Sequence, residues 1–80
     1  MIRLERNILD QANNDLRELE EQVLEGNNAD RDRAVAAYHQ LKAMFTLAGL
    51  PDSGMSDECV GMLEEIERRA GMMTQRLGLL

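Results

Sequence analysis

The sequence holds no tryptophan, and only one tyrosine, one phenylalanine, one proline, one histidine and one cysteine in 80 residues. Each scarcity removes a class of chemistry. With Cys59 alone there is no internal disulfide, which suits a reducing, cytoplasmic setting. With His39 alone there is no second imidazole or thiol at ligand spacing, and no Glu-x-x-His pair of the kind from which helical bundles build di-metal sites. Two aromatic rings cannot supply a platform for stacked bases. Neither GxxxxGK nor GxGxxG occurs, so no glycine loop is present to cradle a phosphate. No apolar run approaches the length of a membrane span, and the first ten residues carry charges at Arg3, Glu5, Arg6 and Asp10 instead of a signal-peptide core. These absences predict a non-catalytic cytoplasmic protein with no metal, no cofactor and no membrane segment.

What is abundant is aliphatic and acidic. The chain is 44 % hydrophobic, supplied by aliphatic residues and methionine, which suits helix packing. It carries 15 acids against 9 bases, a net charge of −6. That sign opposes direct binding to nucleic acid, whose phosphates need lysine and arginine to displace counterions, and it favours a basic protein partner. A chain of this length makes one domain, residues 1–80, and buries only about 60–65 % of its unfolded surface. Its stability margin is thin, so help from a partner or a second copy is in keeping with its size.

The most apolar stretch, Ala34 to Pro51, organises the reading. Ala34, Tyr38, Leu41, Phe45 and Ala48 recur at steps of four and three, and Val35, Ala37 and Met44 widen the stripe enough for two neighbours. Gly49 is predicted to end that helix in the left-handed conformation, with Leu50 folding back and Pro51 blocking continuation. Before it, Ile2, Leu9, Ala12, Leu16, Leu19 and Val23 form a heptad seam interrupted by Glu5, with Asn13, Asn14, Asp15, Arg17, Glu18 and Glu21 assigned to solvent. Gly26, Asn27 and Asn28 mark a turn, and Asn28 or Asp30 is a suitable N-cap for the second helix. After the second loop, Ser56 reads as an N-cap with Asp57 and Glu58 in the first turn, and Cys59, Leu63, Ile66, Ala70, Met73 and Leu77 continue a third seam. Gly61 and Gly71 interrupt this last helix, where a close backbone approach is one explanation. The expectation is an all-α, up-down-up three-helix bundle with helices near residues 2–25, 30–48 and 56–77, and a two-fold homodimer as its structural variant.

Two surfaces are candidates for function. Glu18, Glu20, Glu21, Glu25, Asp30 and Asp32 crowd the first turn against Arg31 alone, an acidic patch able to cover the lysines and arginines of a partner. Leu47, Leu50, Met55, Met62, Met72 and Leu79, with Leu80, are apolar residues that the seams do not consume; they either cover the ends of the core or form a partner-binding or dimer patch. His39 lacks the neighbours of a ligand or base, and Cys59 lies on an apolar seam as an inert thiol. The function expected is that of a protein-binding module, in its most concrete form a phage or mobile-element type inhibitor, anti-CRISPR-like, that docks on a nucleic-acid-handling complex and blocks it. An assembly or secretion chaperone that shields an apolar client segment is the first alternative. A structural homo-oligomer is the second.

Overall fold

The starts of the second and third helices in this chain are fixed by side chains that accept the first free N–H groups. The computed structural model describes residues 2–79. In it Asp30 accepts from the Arg33 N–H at 3.2 Å and Ser56 from the Cys59 N–H at 3.2 Å, each satisfying one of the unpaired donors that open a helix. Three helices result, α1 (Arg3–Glu25), α2 (Arg31–Ala48) and α3 (Asp57–Arg76), with a 3-10 turn at Gly26–Asn28 between the first two. Each helix packs on the other two, giving a three-helix bundle 41 Å long and without strands among the described residues. The expected helix ranges differ from these only at the cap residues.

Each helix contributes one of the largest wholly enclosed aliphatic side chains, Leu19, Leu41 and Leu63. Around them lie Leu9, Ala12 and Leu16 from α1, Ala34, Ala37 and Ala48 from α2, and Cys59, Ile66 and Ala70 from α3. The middle helix organises this core less than its apolarity predicts, because most of what it buries is alanine. Small residues let helix axes approach closely, and that leaves Tyr38 and Phe45 half-buried at the edges instead of between the helices. The larger apolar share comes from α1, which also packs most extensively on its neighbours.

The expected end of α2 at Gly49 is overturned. Gly49 stays in the right-handed helical region (φ −84°, ψ −4°) and donates to the Phe45 carbonyl at 3.1 Å. The chain reverses later, at Asp52 (φ 63°) and Gly54 (φ 79°), while the Ser53 hydroxyl donates to the Ala48 carbonyl at 2.9 Å and closes α2. Leu50 is therefore left half-exposed and does not fold back. At Gly61 and Gly71 no described atom beyond the helix's own adjacent backbone lies within 4 Å of where a Cβ would stand, so no loop of this chain among the described residues approaches either of them, in keeping with two tolerated weak points in α3.

Candidate protein-docking surfaces

The six acids of the first turn are not one surface. Asp30 is committed to capping α2, and its own N–H donates to the side-chain amide oxygen Oε1 of the buried Gln22 at 2.6 Å, a bond that sews the hairpin shut. Glu18 pairs with Arg33 at 2.6 Å and is only 21 % exposed. Arg33 stands one residue beyond the acidic window, which is why the sequence leaves Glu18 free. Glu20 lies roughly 200° around α1 from Glu18 and lines a polar cleft with Asp10, Arg17 and Arg69 between α1 and α3. Glu21, Glu25 and Asp32 remain exposed with no salt bridge among the described residues. Glu21 and Glu25 are one turn apart on the solvent face of α1, where a rigid helix presents them together.

Two further acids are buried. Glu5, 3 % exposed, takes the place of an apolar residue in the α1 seam. Its Oε2 accepts from both the backbone N–H and the hydroxyl of Ser56 at 2.7 Å, and its Oε1 accepts from the Ile2 N–H at 3.2 Å. The Ser56 bonds, foremost that of its hydroxyl, hold this carboxyl below the usual carboxylate value. Asp15 is 6 % exposed, contrary to its assignment to solvent. Ile8, Asp15 and Gln22 recur every seven residues on the flank of α1 that meets α2, a second stripe beside the main seam. One Asp15 oxygen accepts weakly from Gln11 at 3.4 Å and the other has no hydrogen-bond partner among the described residues. Burial pushes its carboxyl up.

The isolated nucleophile and base stay isolated. Cys59 is enclosed, and burial, followed by the nearby Glu5 carboxylate, pushes its thiol up and away from reactivity. His39 is exposed on α2, with the Tyr38 ring at 6.4 Å between centroids, and it lines a shallow surface pocket with Lys42, Ala43, Thr46 and Leu47. Among the described residues no three His, Cys, Asp or Glu side chains are grouped as a metal site requires. No helix among the described residues is long and apolar enough to cross a membrane.

Comparison with known proteins finds no matching family model, no matching curated protein and no matching solved structure. The functional reading therefore rests on the surface itself.

The apolar patch also divides. Leu47 (65 % exposed) and Leu50 (51 %) stand at the α2 end of the bundle, where Leu4, Ile8, Met44, Leu47, Ala48 and Met55 line a cleft of about 360 Å³. Met62 and Met72 are half-exposed on α3, the latter with its sulfur 3.5 Å from an Arg68 nitrogen. Leu79 is half-buried against the core at the other end, and Leu80 lies outside the described residues.

Proposed function

We propose that this protein is a non-catalytic binding module that docks through its acidic hairpin end on the basic surface of a nucleic-acid-handling protein complex and blocks it, as an anti-CRISPR-like inhibitor does. The observation that supports this reading is the division of labour among the acids. Asp30 and Glu18 stabilise the hairpin, whereas Glu21, Glu25 and Asp32 are held on it, exposed and without salt bridges among the described residues. Carboxylates fixed on a rigid element lose little entropy on docking and steer association with a lysine- and arginine-rich surface. A chaperone needs a continuous apolar groove for its client. The exposed apolar side chains here are split among the α2 end, α3 and Leu24 on α1, which favours the acidic reading.

The test is capture of partners from a native lysate, with washes at rising salt, and then competition with the purified partner. The expected outcome is a basic protein that elutes as salt rises and releases its nucleic acid when this protein is added. A salt-resistant apolar client would contradict the proposal.

A further inference from the structure

The exposed leucines at the α2 end open onto a helix face that nothing in the monomer covers. Leu47 and Leu50 continue along the outside of α2 through Ala43, Gln40 and Ala36, all exposed. The cleft edged by Leu4 and Met55 lies beside them. This face differs electrically from the rest of the chain. All 15 acids lie outside the interval between Asp32 and Asp52, so α2 beyond its first turn carries no carboxylate. Its outward residues are apolar or neutral apart from Arg33 and Lys42.

We infer that this α2 face joins two copies of the chain in an antiparallel, two-fold dimer. Charge selects the face. Two molecules of net charge −6 repel wherever acids meet, and α2 is where they can approach without bringing carboxylates into the centre of the contact. Spacing selects the direction. Ala36, Gln40, Ala43 and Leu47 are separated by four, three and four residues, which reads the same from either end and so maps onto itself under a two-fold axis. In that register Leu47 of one copy seats on Ala36 of the other, large against small, and Gln40 meets Ala43. At each end Arg33, paired with Glu18 of its own copy, comes beside Leu50 of the second copy.

The contact is small beside the roughly 20–30 residues a side of a standard interface, so the dimer is weak and concentration-dependent. It leaves Glu21 and Glu25 on α1 uncovered but sets Asp32 at the edge of the contact, and it does not depend on the acidic end having a partner. The test is sedimentation across about 5–500 µM for the wild type and for Ala43→Glu, with Leu24→Glu on α1 as the charge control and circular dichroism to confirm that each variant folds. Wild type and Leu24→Glu are expected to dimerise, with at least about a tenfold loss of association in Ala43→Glu. A spin label at Asp32→Cys reports direction. Cys59 is enclosed and escapes labelling, and the two labels of an antiparallel dimer are displaced by about 28 Å along the helices, nineteen residues at 1.5 Å each. A monomer at every concentration, association untouched by Ala43→Glu, or labels side by side would each overturn the inference.

Discussion

Glu5 and Ser56, 51 residues apart, meet at 2.7 Å twice, through the serine's N–H and through its hydroxyl. The same hydroxyl caps α3 by accepting from the Cys59 N–H, so one acid at the start of α1 holds the residue that starts α3. Ser56→Ala removes the cap and the hydroxyl donor to Glu5, and an expected loss of about 1–2 kcal/mol is measurable by urea denaturation. The pH dependence has a definite sign. The folded carboxyl titrates below its ordinary value of 4.5, so its contribution is present above that pH and disappears as pH falls through the folded value. Glu5→Gln is expected to lower stability at pH 7 and to remove that acid-induced loss. Identical acid profiles for the two proteins would contradict this role.

Asp15 acts in the opposite direction. Its folded carboxyl titrates above the ordinary 3.8, so it weakens the fold increasingly as pH rises past that value. Asp15→Asn keeps the shape without the charge. It is expected to stabilise the protein by about 1–2 kcal/mol at pH 7, with the gain vanishing below about pH 3.8. Denaturation at pH 7 and pH 3 checks both halves of the statement.

Gly61 and Gly71 weaken α3 without serving a contact. Gly61→Ala and Gly71→Ala are each expected to raise stability by about 0.5–1 kcal/mol, since an added methyl meets open space within a helix. A decrease in melting temperature for either would show a constraint beyond the helix itself.

The parts of this fold that were legible in the sequence are those set by local rules. Seams at helical spacing and the caps Asp30 and Ser56 give three helices, their order and nearly their ends. What escaped depends on how the helices meet. Asp15 looks like a solvent residue, and Gln22 belongs to no seam, until α2 is placed on their flank of α1. Glu5 looks like a flaw in the seam until Ser56 arrives from the far end of the chain. Gly49 carried a credible stop signal, yet the reversal comes in the loop beyond it, at Asp52 and Gly54. The candidate acidic surface was visible as composition, but the division between structural and free acids rests on Arg33 and Gln22, which composition does not connect to them.

That division separates stability from binding. Asp30→Ala is expected to cost about 1 kcal/mol of folding stability through the lost cap. Glu21→Lys and Glu25→Lys, on an open helix face, are expected to change stability by less than about 0.5 kcal/mol each. Calorimetric unfolding of the three variants distinguishes the two groups.

The affinity of the Glu21→Lys/Glu25→Lys double variant for the captured partner, measured against wild type at low and at high salt, tests the central claim most directly. At low salt the account predicts a loss of at least about tenfold, and a steep salt dependence in wild type that flattens in the variant. Undiminished affinity with a flat salt response in both proteins would contradict acidic docking and return the function to the apolar surfaces.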